Sequence, residues 1–335
     1  MANNQEQFIS FNKMIELTPT KSKTLKGNRK ALREVIRNYF KENKPKENKP
    51  KFGSQGSFVM KTTINPCPRW SKDENKDLYI YDIDDGIYFI GYEDQEDRYS
   101  ISTYHEWIYD SVKDHTGKGA EKRNTCIRVL YADGHHIDIP IYYKINEDDS
   151  IPELAHKSKG WINSDPKEFF EWFNELSDSG QQLRRIVRYL KAWCDYRNKI
   201  HSDIKMPTGF IMTILASKSI SYNSRDDIAF KETLENIQNK LNNKFECKRP
   251  TTPKGEDLFS DYSDTKRDYF LDQLKSFATS AKQAIEGKNP KDTCLKWQKH
   301  FGDRFSCSTA SDEDEQTDTK SFSAPAVITQ NAKSA

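Results

Sequence analysis

Apolar positions follow two rhythms along this chain. Between residues 5 and 42 they recur at helical spacing, as at Leu32, Val35, Ile36, Tyr39 and Phe40, which predicts helix. Short runs of β-branched and aromatic residues follow at 58–63, 78–81, 86–92, 125–131 and 136–143, and these predict strands. The last two flank Asp133-Gly134, a hairpin-turn pair. Residues 100–114 return to the helical pattern within this β-rich stretch.

From about residue 151 helical spacing takes over. Ser164-Asp165-Pro166 is a helix start, because Ser or Asp can cap orphan N–H groups and Pro suits the first turn. The helix beginning there puts Phe169, Phe170 and Phe173 on one side, and further helices are predicted at 181–199, 209–219, 226–243 and 262–286. Residues 1–50 then form a helical segment that ends in the charged stretch "KENKPKENKPK" and packs back across both halves. A β-rich core at 51–150 and a helical part at 151–307 complete a bilobed α+β protein with a mixed sheet. The tail at 308–335 is rich in Ser, Thr, Asp and Ala and lacks the apolar surface to offset chain entropy, so disorder is expected there.

Composition narrows the function classes. Charged residues make up 31% and apolar residues 35% of the 335, which suits a soluble globular protein. A net charge of +2 argues against a dedicated nucleic-acid coat. Residues 1–10 are polar and no run approaches ~20 apolar residues, so neither a secretory leader nor a membrane span is expected. The six cysteines are widely spread without a CxxC pair; free thiols in a reducing cytosol, and no zinc site, are the simplest expectation.

One stretch, "YDIDDGIYF" at 81–89, sets Asp82 and Asp84 two apart in a strand-like run. Such side chains share a face, and like charges there repel unless a cation sits between them or the stretch is an exposed turn. Two carboxylates on one face suit a hard divalent cation such as Mg²⁺. Asp138, flanked by Ile137 and Ile139, supplies a third carboxylate on another strand, whereas Asp85 would point the opposite way. Some twenty-six residues before Asp82, "FGSQGSFVMKTTINP" offers a small loop that opens a helix and can present N–H groups to a phosphate. Histidines in a turn more often face solvent, so His135 and His136 are given no role.

A Gly-Ser turn, a DxD strand and a solitary strand aspartate, in that order, match the layout of polymerase-β-like nucleotidyltransferases. The pieces "QGSF", "TTINP", "YDIDDGIYF" and "HIDIPIYY", with "GWINSDP", "LRRIVRYLKAWCDY" and "RPTTPKGEDLF", resemble the bacterial cGAS/DncV-like nucleotidyltransferases (CD-NTases) of CBASS anti-phage systems, DncV-type members above all. The likeness runs over roughly residues 30–305.

The resemblance implies a cyclic oligonucleotide synthase that joins NTPs, ATP and GTP foremost, and releases pyrophosphate. It makes Asp82, Asp84 and Asp138 ligands of two Mg²⁺ ions, with Mn²⁺ as the alternative, and gives Asp138 a share in deprotonating the attacking ribose hydroxyl. Gln55, Gly56 and Ser57 would hold the donor triphosphate, Phe58 would join the nucleotide-binding set, and Lys191 and Thr208 would add phosphate contacts. Arg128 would reach a nucleotide or sit on the strand surface; Ser164 and Asp257 would lie near base or sugar, or serve as a helix cap and a loop carboxylate. A ubiquitin-transfer-like partner acting on the terminal Ala335 and a cyclic-nucleotide-activated effector are implied; a stable nucleic-acid partner is not. A linear transferase acting on RNA or protein, and a nucleic-acid sensor with little turnover, are the competing readings.

Overall fold

The structure is a computed structural model that describes residues 2–91, 94–148 and 151–313. The N-terminal helical stretch is two helices, not one. α1 (Gln5–Ile15) ends before Pro19, and α2 (Pro19–Asn43) starts with that proline in its first turn and Thr18 Oγ1 accepting from Lys21 N–H. The break lets each helix serve a different core. Phe8, Phe11 and Ile15 of α1 join the helical lobe, while Leu25, Leu32, Ile36 and Phe40 of α2 pack under the sheet.

The sheet begins with β1 (Lys51–Gln55), inside what reads as charged linker and loop, and the predicted strand at 58–63 is replaced by the short helix α3 (Gly56–Val59) and a turn. β1 is an edge strand, so it needs no apolar alternation on both faces. A separate hairpin, β2 (Arg69–Ser71) with β3 (Lys76–Leu78), precedes the central β4 (Asp82–Ile90). α4 (Ile101–Val112), capped by Ser100, crosses to β5 (Ala120–Lys122), β6 (Cys126–Leu130) and β7 (His136–Lys144). Strand order is β1-β4-β7-β6-β5, with β4 and β7 parallel and the other pairs antiparallel. The sheet is mixed, as expected.

Past residue 151 the chain first adds two more strands, β8 (Glu153–His156) and β9 (Gly160–Asn163), before the helices begin. Four residues each, they are too short to show a period. The helical lobe comprises α5 (Pro166–Glu175), α6 (Gln182–Ile200), α7 (Gly209–Ser217), α8 (Asp226–Asn243), α9 (Asp264–Glu286) and α10 (Pro290–Phe301), the last of which the sequence reading missed. Phe169 and Phe173 of α5 are buried and Phe170 is half-buried. Trp193, Trp297, Phe230 and Phe277 fill the lobe's centre.

Two expectations fail here. Cys294 and Cys307 form a disulfide, so only Cys67, Cys126, Cys194 and Cys247 are free, all buried. The tail also starts ordered: Thr309 accepts from Gln7, Ser311 C=O accepts from Lys291 N–H, and Asp312 accepts from Asn289. The rest of the tail, Ala335 included, lies outside the described residues.

Candidate active site

Strand register builds one wall of the site. Across the parallel β4–β7 pair, Asp82 sits opposite His136 and Asp84 opposite Asp138. Alternation puts all four side chains on one face, since each pair is two apart on its strand. Asp82, His136 and Asp138 each offer a ligand atom within 4.8 Å of the others, a donor set that fits a divalent cation. Asp84, the third of the expected aspartates, is not in that set. Asp84 belongs to the same acidic field but points at α3, where a Cβ on Gly56 would fall 1.9 Å from its Oδ2.

Asp138 is held from the other side. Arg128, its register partner on β6, donates Nε–H and Nη2–H to the two carboxylate oxygens, each at 2.8 Å. Arg128 therefore neither lines the cleft nor lies free on the surface; it positions a carboxylate. Asp85 points away, as expected, and is claimed by Arg33 of α2 at 2.6 Å. Burial, then the charges of Asp82 and Asp138, push the Asp84 carboxyl well above the usual range; Lys191 and Arg128 pull the other way. Repulsion of this kind is what a bound cation relieves.

His135 and His136 are buried, which corrects the solvent-facing expectation. His135 stacks on Tyr131 and bonds Asp133, whereas His136 joins the carboxylates. Burial lowers the His136 imidazole, against the raising effect of Asp82 and Asp138.

The loop at residues 55–57 faces this wall. Gly56 opens α3 at φ 74°, a conformation that favours glycine, and leaves the loop backbone against Asp84. Gln55 Nε2 donates to Tyr142 Oη at 3.1 Å, which Gly86 permits, because a Cβ there would fall 2.5 Å from Gln55 Oε1. Ser57 Oγ pairs with Thr63 Oγ1, and Ser57 C=O accepts from Thr62 N–H.

Across the cleft stands Lys191 of α6. Its Nζ donates to Thr62 C=O at 3.2 Å and Thr62 Oγ1 at 3.1 Å, and Gly209 leaves room for its stem. Burial lowers its amine to about 8, even with Asp82 and Asp84 pulling it upward. The cleft between the walls has a volume of about 720 Å³. Gln55, Gly56, Ser57, Asp82, Asp84, Ser164, Lys191 and Thr208 all line it. Thr208 also caps α7 by accepting from Ile211 N–H. Phe58 and Asp257 do not line it: Phe58 packs toward the sheet core, and Asp257 Oδ1 accepts from Cys247 N–H and Phe259 N–H.

Sequence reasoning missed His136 and Arg249. His136 carried a signal, since it lies two residues before Asp138 and must share its face. Arg249 lines the cleft, sits 5.4 Å from the Phe210 ring centroid and donates to Ser164 Oγ at 3.3 Å. Only its place at the head of "RPTTPKGEDLF" hinted at it.

Two family models match. Residues 50–142 fit the cyclic GMP-AMP synthase DncV-like nucleotidyltransferase domain, and residues 180–312 fit the cyclic GMP-AMP synthase C-terminal domain; together they take in more than half of the chain. The chain belongs to the DncV-like nucleotidyltransferase family. Among curated relatives, a cyclic GMP-AMP synthase of Escherichia albertii is 27% identical over 208 residues, which is 60% of this chain and 44% of that protein. One from Vibrio cholerae serotype O1 is 25% identical over 44% of this chain and 42% of its own. These matches thus span less than half the length of each curated relative. Among solved structures, Vibrio cholerae DncV with nonhydrolyzable GTP aligns at TM-score 0.74 and 19% identity, covering 91% of this chain and 97% of that one. A mutant of the same enzyme with ATP, GTP and 5MTHFGLU2 aligns at TM-score 0.77 and 20% identity, covering 91% and 98%. The DncV-like fold, a polymerase-β-like core beside a helical domain, is therefore this chain's fold.

Proposed function

We propose that this chain joins nucleoside triphosphates, ATP and GTP foremost, into a cyclic di- or trinucleotide such as 3′,3′-cGAMP and releases pyrophosphate. One observation carries the reading: Asp82 and Asp84 of β4, the Gly56–Ser57 loop and Lys191 line a single cleft from three separate parts of the chain, with Asp138 paired to Asp84 on the adjacent strand. The relatives' names agree with it, as does a solved DncV structure that holds a linear intermediate.

The chain's own groups divide the work. N–H groups of the Gly56–Ser57 turn, the Gln55 amide and the Lys191 ammonium hold the donor triphosphate. Asp82, Asp84 and Asp138 would hold Mg²⁺ or Mn²⁺, two ions in this reading, and the bound ions would supply Lewis-acid activation of a hydroxyl and charge neutralisation for a leaving pyrophosphate. Asp138, oriented by the two hydrogen bonds from Arg128, takes the ribose hydroxyl proton. The hydroxyl oxygen bonds to the α-phosphorus as the bond to pyrophosphate breaks. A second such step within the linear intermediate closes the ring. Positioning and charge stabilisation supply most of the rate.

The family resemblance also supports a place in CBASS anti-phage defence. There the product would activate a downstream effector, and a ubiquitin-transfer-like partner would act on Ala335. No described helix is long and apolar enough to cross a membrane. Mass spectrometry of products from all four NTPs with Mg²⁺ tests the chemistry. A phosphatase-resistant cyclic product is expected, and none from the Asp82→Ala plus Asp84→Ala variant. A phosphatase-sensitive chain, or undiminished product from that variant, would overturn the reading.

A further inference from the structure

Of the four side chains facing each other on β4 and β7, His136 is the one the family reading leaves unused. It is 6% exposed, and its Nε2 is buried without a hydrogen-bond partner. A buried polar atom in that state is costly and calls for a partner the protein alone does not supply. Its nearest carboxylate, Asp82 Oδ2, lies 3.9 Å away, too far for a hydrogen bond. That gap is close to the about 4 Å that opposite ligands of one ion span. Asp138 completes the set within 4.8 Å. Since Arg128 already occupies both Asp138 oxygens, that carboxylate has fewer lone pairs left for a cation, and a nitrogen donor fills the deficit.

We propose that His136 Nε2 is a direct ligand in a mixed imidazole–carboxylate site with Asp82 and Asp138, and that this donor set favours Mn²⁺ over Mg²⁺. The proposal rests on the nucleotidyltransferase reading of the β4–β7 carboxylates and adds to it a nitrogen ligand and a metal preference. Mg²⁺ takes oxygen ligands in near-ideal octahedra and keeps its waters, whereas Mn²⁺, which shares that taste for oxygen, is a transition ion and takes one imidazole nitrogen among carboxylates at less cost. A nitrogen ligand thus costs Mg²⁺ more than Mn²⁺.

The decisive probe is the full chain loaded with Mn²⁺ and pyrophosphate, which carries no nitrogen. Electron spin-echo modulation of the bound Mn²⁺ should show ¹⁴N coupling in the wild type and none in His136→Gln. Titrations should find Mn²⁺ weakened about tenfold or more by His136→Gln, and Mg²⁺ by less than about twofold. If Mn²⁺ binds, is lost in Asp82→Asn, and shows no ¹⁴N coupling in the wild type, the ligand is refuted while the catalytic reading stands. If Asp82→Asn leaves Mn²⁺ binding unchanged, both fall. The wild-type spectrum alone decides the ligand, so a poorly folded variant does not rescue it.

Discussion

Arg128 and Asp138 face each other in register across β6 and β7, joined by two parallel hydrogen bonds of 2.8 Å. The pair fixes the rotation of the carboxylate that the proposed function has meet both cation and ribose hydroxyl. Bidentate geometry is beyond a lysine's single ammonium. Arg128→Ala would strip a buried carboxyl of its partner, and breaking a buried pair in this way typically costs about 3–5 kcal/mol of stability. Arg128→Lys should fold and lose about 10–100-fold in rate, mostly in kcat, because a conservative change at a positioning contact spares triphosphate binding. Steady-state kinetics beside thermal melts separates the two effects; unchanged kcat in Arg128→Lys would remove the positioning role.

Gly56 gives a sharper test. A side chain there meets both a positive φ and an Asp84 oxygen at 1.9 Å. Gly56→Ala is expected to abolish product and weaken triphosphate binding at least about tenfold while the far-UV circular dichroism stays intact, since α3 is a single turn and only Phe58 and Val59, not Gly56, pack against the cores. Calorimetric titration with a nonhydrolysable triphosphate reads it directly.

Lys191 predicts a pH dependence. Its amine sits at about 8 in the free chain, lowered by burial, and a bound triphosphate stabilises the ammonium. Binding raises this pKa, so the contribution is full below pH 8 and is lost as pH rises toward the bound value. Affinity should fall up to about tenfold per pH unit above 8, with up to one proton taken up per nucleotide near that pH. Calorimetry in buffers of different ionisation enthalpy measures the uptake. In Lys191→Met both the slope and the uptake should vanish.

The Cys294–Cys307 bond closes a short loop, with 13 residues of separation, between α10 and the start of the tail. Loops of this size contribute on the order of 3 kcal/mol when cross-linked. Reductant should lower the unfolding midpoint of the wild type and leave that of Cys294→Ser plus Cys307→Ser unmoved. Equal sensitivity of both would show that the bond contributes nothing.

How much of this was legible depended on how local each signal is. Asp82 and Asp84 announce themselves because a strand period of two is read in three residues, and Gly56-Ser57 because only small residues fit that turn. β1 stayed hidden because an edge strand of "KFGSQ" carries no alternation, and β8 and β9 because four residues cannot show a period. Phe58 was misplaced for a related reason: its apolar run reads as strand, yet it turns toward the sheet core from a one-turn helix. The disulfide gave no warning, since a spacing of 13 between scattered cysteines has no meaning until the chain folds.

By itself the sequence determined the helices with clear caps and stripes, the main strands, the acidic face of β4 and the phosphate turn, because each follows from backbone and side-chain preferences within a few residues. Tertiary structure alone decided that β7 runs parallel beside β4, bringing His136 and Asp138 to Asp82 and Asp84 from more than fifty residues away. It also brought Lys191 over from the helical lobe and split the N-terminal helices between two cores. Parallel pairing and lobe packing are settled by burying whole apolar faces, a non-local free energy that no short stretch of sequence expresses.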